Sequence, residues 1–154
     1  MYSLPTLLTL ALAATGVSAV GRAKVVNNCD VDVSVWSVGS NINGPWRLAA
    51  HGGNYAETFI KDPRTGGISL KVTIPADGLF TGAPQTNFAY SLDNDKIWYD
   101  LSDVFGDPFA GKKLVVSSAA SCPSILWPTG TSPGGSQTKV CGSDQDVTFT
   151  LCAA

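Results

Sequence analysis

The chain has 154 residues, a formal net charge of −2 and no run of basic residues. That length fits one domain. The charge excludes the electrostatic footprint of a nucleic-acid binder or of a protein held to an anionic membrane.

The first segment, MYSLPTLLTLALAATGVSA, carries an apolar run from Leu7 to Ala14 and then the small-residue step Val17-Ser18-Ala19. This pattern predicts a secretory leader over residues 1–19, cleaved after Ala19, and one domain over residues 20–154. No later stretch approaches the roughly 18 consecutive apolar residues of a membrane helix. No Asn-x-Ser/Thr glycosylation acceptor occurs. The expected product is secreted, either extracellular or held at a cell wall.

Beyond the leader, turn residues recur between runs rich in β-branched side chains, the pattern of a sandwich or barrel. In chain order the predicted strands are Lys24–Asn27, Asp32–Val38, Tyr55–Ile60, Ile68–Ile74, Asn87–Leu92, Ile97–Asp100, Lys113–Ser118, Ser124–Trp127, Thr138–Cys141 and Asp146–Leu151. Alternation is clearest at Val31, Val33 and Val35 and at Val147, Phe149 and Leu151, so each set is expected to face a core. Asn43-Gly44-Pro45, Asp77-Gly78 and Pro133-Gly134-Gly135 read as turns. Leu101-Ser102-Asp103-Val104 reads as a single helical turn in an otherwise all-β chain.

The cysteines are Cys29, Cys122, Cys141 and Cys152. An even number beyond a leader implies two disulfides, and four cysteines allow three pairings. Cys29–Cys152 with Cys122–Cys141 is favoured. The first ties the opening strand to the closing one, and the second closes a loop rich in proline and glycine. The absence of any C-x-x-C pair argues against zinc.

Paired carboxylates for glycoside hydrolysis would have to come from Asp93, Asp95, Asp100, Asp103 and Asp107, because Glu57 is the single glutamate. Asp93 and Asp95 are expected on one strand face, and Asp100 and Asp103 about a turn. Asn94 and Lys96 interleave with them, so these carboxylates are expected to be solvated and ionised, without catalytic power. An EF-hand loop starting at Asp93 fails, since Ile97 and Trp98 stand at its fifth and sixth positions. His51, the only histidine, lies in a Gly-rich turn, and no serine sits in a G-x-S-x-G elbow. Among the four tryptophans, Trp46 beside Gly44-Pro45 is the best exposed candidate for stacking on a sugar. The candidate ligand-binding residues are therefore Asp93, Asp95, Asp103, Asp107 and Trp46. No catalytic set, metal or cofactor is expected.

Two stretches carry a family resemblance. GRAKVVNNCDVDVSVWSVGS with LAAHGGNYAETF resembles the opening of thaumatin-like proteins, and FAYSLDNDKIWYDLSDVFGDPFAG resembles their central segment. The length, the four cysteines, DGLF, WPTG and the ending DVTFTLCA resemble the fungal Blastomyces yeast-phase-specific protein family of antigenic thaumatin-like proteins. The resemblance implies a thaumatin-like two-sheet antiparallel β-sandwich and a Cys29–Cys152 bridge. It also implies that the strand position holding the acidic-cleft glutamate of sugar-active members reads Ala89 here. The aspartate of their acidic turn aligns with Phe105, with Asp103 and Asp107 as neighbours.

The expected function is that of a secreted or wall-associated, non-catalytic binding or antigenic protein, acting as a monomer. Two alternatives stand beside it: a β-glucan-binding lectin or weak glucan hydrolase using Asp93–Asp107, with cell-wall β-glucan as partner, and a secreted effector that engages a host protein.

Overall fold

A computed structural model describes residues 19–154; the expected leader, apart from Ala19, lies outside the described residues. Eleven strands and one helical turn follow one another. They are β1 (Arg22–Asn27), β2 (Val33–Val38), β3 (Ile42–Leu48), β4 (Gly53–Thr58), β5 (Ile68–Thr73), α1 (Gly78–Thr81), β6 (Gln85–Asp93), β7 (Lys96–Val104), β8 (Leu114–Ser117), β9 (Ile125–Trp127), β10 (Lys139–Gly142) and β11 (Val147–Leu151).

Two sheets form a sandwich. One has the order β4-β1-β11-β8-β9 and the other β10-β7-β6-β5-β2-β3. Every neighbouring pair is antiparallel except β1 and β11, the first and last strands, which run parallel. The two-sheet sandwich expected from the resemblance is therefore the observed fold.

The period of two puts alternate side chains into the core. Ala23 and Val25 of β1 and Val147, Phe149 and Leu151 of β11 are fully buried, facing Phe88, Tyr90, Tyr99 and Leu101 of the larger sheet. Phe88 and Phe149 meet across the sheets with ring centroids 5.9 Å apart. Val31, expected in the same set as Val33 and Val35, lies before β2 and is exposed. The Asn-Asn-Cys segment has a physical reason. Asn27 is fully buried, and its side-chain amide donates to the Val31 carbonyl at 2.8 Å and the Leu48 carbonyl at 3.1 Å. Its carbonyl oxygen accepts the Cys29 amide at 3.1 Å. One buried side chain thus satisfies backbone groups of the β1–β2 loop and of the end of β3.

Both favoured disulfides are present, Cys29–Cys152 and Cys122–Cys141. The second anchors the loop before β9 to β10. Strand β3 occupies the sequence read as the Asn43-Gly44-Pro45 turn. It is an edge strand beside a register shift between Val35 and Ser37, where proline does not break a ladder. The helical turn expected at Leu101–Val104 is instead the end of β7, held by nine consecutive pairings to β6, and the short helix lies at Gly78–Thr81.

Candidate functional site

The outward face of the larger sheet carries the site. Register fixes which side chains share it: Ser69 on β5, Ala89 on β6 and Asp100 on β7 stand in one cross-strand row. Trp36, Lys71, Asn87 and Ser102 form the next row. Burial lowers the pKa of the Lys71 amine, because the charged form loses hydration.

Three adjoining depressions make a groove across this face. One, of about 350 Å³, lies between Val38, Gly39, Thr65 and Ala89. A second, of about 210 Å³, is bounded by Ala89, Trp98, Asp100 and Thr138. The third, of about 370 Å³, runs from Asp100 and Ser102 to Asp103, Asp107, Ser136 and Gln137. Ala89 lies where the first two meet, and its methyl group leaves the floor low. Trp98 is 44 % exposed and stands over the middle.

The far wall is the loop from Pro128 to Thr138. It is pinned from beneath, where the buried Trp127 indole donates to Gln137 Oε1 at 3.0 Å. The Tyr99 hydroxyl, whose pKa burial raises, donates to the Pro123 carbonyl. The groove therefore has one wall of sheet and one of disulfide-tied loop.

Asp103 is the exceptional carboxyl. It has the same strand parity as the core residues Tyr99 and Leu101 and pairs opposite Thr86, whose hydroxyl donates to it at 2.5 Å. Its Oδ2 is buried without a protein partner. Burial first, and then the neighbouring Asp107 carboxylate, push Asp103 up to about 7 against the opposing pull of the Thr86 hydroxyl. The expectation that every carboxylate of this segment is solvated and ionised is corrected here. Asp103 sits on the core side of the sheet, not in a wet loop.

The sequence-predicted residues divide into three groups. Asp103 and Asp107 come together at one end of the groove, beside Asp100. Asp93 and Asp95 lie at the other end of β7, where Asn94 and Asp95 are the two-residue turn of the β6–β7 hairpin. Asn94 has φ 53°, so Asp93 and Asp95 do not share a strand face as expected. Asp100 and Asp103, expected about a turn, both belong to β7 and have opposite parity. Trp46 lies on edge strand β3, remote from β7 in sheet order, stacked on Tyr55 with centroids 4.5 Å apart. At 38 % exposure it is less open than Trp98, so the best exposed tryptophan is Trp98. Trp36 and Trp127 are fully buried. His51 is a turn residue as expected, with φ 61° between β3 and β4. Sequence reasoning left Trp98 and Thr138 out of the site. The signal for Trp98 was its parity with Asp100 two residues on.

Comparison with known proteins agrees with this architecture. The profile of the Blastomyces yeast-phase-specific protein family matches residues 10–153. An antigenic thaumatin-like protein of Arthroderma benhamiae is 27 % identical over 163 residues, covering 99 % of this chain and 82 % of that protein. The secreted thaumatin-like protein calA of Emericella nidulans is 27 % identical over 164 residues, covering 99 % and 93 %. The crystal structure of the protein elicitor MoHrip2 from Magnaporthe oryzae superposes with a TM-score of 0.70 at 29 % identity, covering 86 % of this chain and 99 % of that one. The thaumatin-like xylanase inhibitor TLXI shares the fold, with a TM-score of 0.54 at 11 % identity, covering 85 % and 99 %. From the sandwich, the two disulfides and a profile match over nearly its whole length, the chain is a member of the Blastomyces yeast-phase-specific protein family, within the thaumatin-like fold.

Proposed function

We propose that this protein is a secreted, non-catalytic binding protein that takes a polysaccharide strand of the β-glucan class in the groove over its larger sheet. The observation that carries this reading is the Ala89–Asp100 row, with Trp98 standing over it. A low floor, an exposed indole and hydroxyl and carboxylate acceptors along one wall are the ingredients of sugar recognition: an apolar face for stacking and fixed polar groups for orientation.

The same residues argue against turnover. Glycosidases hold two carboxyls about 5–5.5 Å or about 6.5–9.5 Å apart across the scissile bond. Here the raised carboxyl, Asp103, accepts from the Thr86 hydroxyl and has the strand parity of the core residues Tyr99 and Leu101. Ala89 supplies no carboxyl opposite Asp100.

The test is co-sedimentation with insoluble β-1,3-glucan, paired with a reducing-sugar assay on laminarin. The expected result is retention without product, weakened roughly five- to tenfold by Trp98→Ala through loss of the stacking surface. Absence of retention, or product above blank, overturns the reading.

A second reading is favoured by one observation, the 29 % identity to a protein described as an elicitor. On that reading the protein is an effector that engages a host protein. A chain unretained by glucan but captured by a purified plant or animal surface protein supports it.

A further inference from the structure

We infer that the loop from Pro128 to Thr138 is an O-glycosylation site, which takes hexoses on its serine and threonine hydroxyls. The inference does not depend on what the groove binds.

The loop reads PTGTSPGGSQT. Thr129, Thr131, Ser132, Ser136 and Thr138 carry hydroxyls, and the segment has no charged residue and no large apolar side chain. It offers a protein partner neither an ion pair nor an apolar anchor. Hydroxyls are its only nucleophiles. Serine and threonine interleaved with proline form the composition that carries O-linked sugars. The two disulfides accord with passage through an oxidising secretory compartment, where glycosyl transfer takes place.

The structure sets these hydroxyls apart from the others. Thr129, Ser132, Ser136 and Thr138 are exposed, and Thr131 is half-buried. Thr73 and Thr86 are fully buried in strands. Thr148 and Thr150 belong to β11, which is paired on both sides, with β1 and with β8. A transferase takes its acceptor as a piece of chain lifted clear of the protein, which a central strand cannot supply and a loop can. Pro128 precedes Thr129 and Pro133 follows Ser132, and proline, lacking an N–H, keeps the chain out of a ladder. Around Gly134 and Gly135 there is open space: a Cβ on either would meet nothing within 4 Å. The Ser132 hydroxyl oxygen accepts the Gly134 amide at 3.3 Å and that of Ser136 accepts the Thr138 amide at 3.4 Å. Each contact uses a lone pair and leaves the hydroxyl proton free. Ser132, Ser136 and Thr138 also border the third depression of the groove, so a hexose on any of them stands at its rim.

The chemistry is group transfer without redox change. The hydroxyl oxygen attacks C1 of a hexose carried on an activated sugar phosphate. The new C1–O bond forms as the bond from C1 to the phosphate oxygen breaks. The phosphate leaves with the bonding pair, and a base of the transferase takes the hydroxyl proton.

The test is mass spectrometry of the full chain, secreted by a filamentous fungus and recovered from the medium. The intact protein should exceed the mass of its polypeptide by whole hexose residues. After reduction, trypsin releases the loop within residues 114–139, between cleavage at Lys113 and at Lys139. Electron-transfer fragmentation of that peptide should place the hexoses within residues 129–138. Combining Thr129→Ala, Thr131→Ala, Ser132→Ala, Ser136→Ala and Thr138→Ala should abolish the increments. The fragment map of the unmutated peptide decides by itself if that variant is not secreted. An intact mass equal to the bare polypeptide overturns the proposal. So do hexoses on lysine, the mark of non-enzymatic glycation, hexoses confined to Ser117–Ser124 or to other elements, and increments that persist in the variant. Failure of glucan co-sedimentation leaves these masses unchanged, so the two readings fall separately.

Discussion

Tyr90 donates its hydroxyl to the Glu57 carboxylate at 2.5 Å, joining a central strand of the larger sheet to the edge strand of the smaller one. Tyr55 donates to the other carboxylate oxygen at 2.7 Å. Burial, reinforced by this carboxylate, raises both phenol pKa values. The ring of Phe59 lies edge-on to Tyr90 at 5.1 Å, and Trp46 stacks on Tyr55. The one glutamate of the chain therefore closes the open side of the sandwich. Its role is structural.

Glu57→Ala should lower stability by about 2–3 kcal/mol, since it leaves two buried or half-buried hydroxyls without their charged acceptor. Tyr90→Phe should cost less, because it removes donor and demand together. Urea unfolding followed by tryptophan fluorescence separates the two. A Glu57→Ala midpoint equal to that of the unmutated protein would contradict this account.

Asp103 gives a pH dependence with an unusual sign. Its folded pKa, about 7, lies above the unfolded value, so the folded state binds the proton more tightly. Its contribution to stability is full below about pH 4 and is lost as pH rises through 7. Asp103→Asn should therefore be more stable than the unmutated protein at pH 8 and should flatten the stability profile between pH 4 and 8. Thermal melts at pH 4.5, 6 and 8 measure this. A profile that stays unchanged in the variant would refute it.

The disulfides predict a simple peptide map. Non-reducing digestion should yield Cys29 joined to Cys152 and Cys122 joined to Cys141, with no free thiol. Cys152→Ala should cost roughly 2–5 kcal/mol. A Cys29–Cys122 peptide would be incompatible with the fold.

Gly130 tests the wall of the groove. It has φ 70°, and a Cβ there would lie 1.9 Å from the Phe109 carbonyl oxygen. Gly130→Ala should destabilise by more than about 2 kcal/mol, combining backbone strain with an overlap that only backbone movement relieves. Gly134→Ala, with φ 89° but open space around it, should cost less. Equal melting temperatures for the two variants would count against this packing.

Most of the fold was legible because strand signals are local. Alternation at Val147, Phe149 and Leu151 marks a half-buried strand wherever that strand pairs. Strand β3 was hidden because Gly44-Pro45 carries the chemistry of a turn, and only its edge position, a tertiary fact, permits it in a ladder. The site was legible in composition but not in arrangement. Asp103 reads like its neighbours until the Thr86–Asp103 register places it on the core side. Trp98 and Trp46 look alike until one is found over the groove and the other against Tyr55.

The parallel pairing of β1 with β11 bears on when the molecule can fold. Strand β1 has β4 on one side and β11 on the other, so the centre of the smaller sheet stays incomplete until residues 147–151 have left the ribosome. A chain whose opening strand waits for its closing one folds after synthesis rather than during it, through contacts of high sequence separation. Cys29 follows β1 and Cys152 follows β11, so the bridge between them can form only once that pairing has brought the two ends of the chain together.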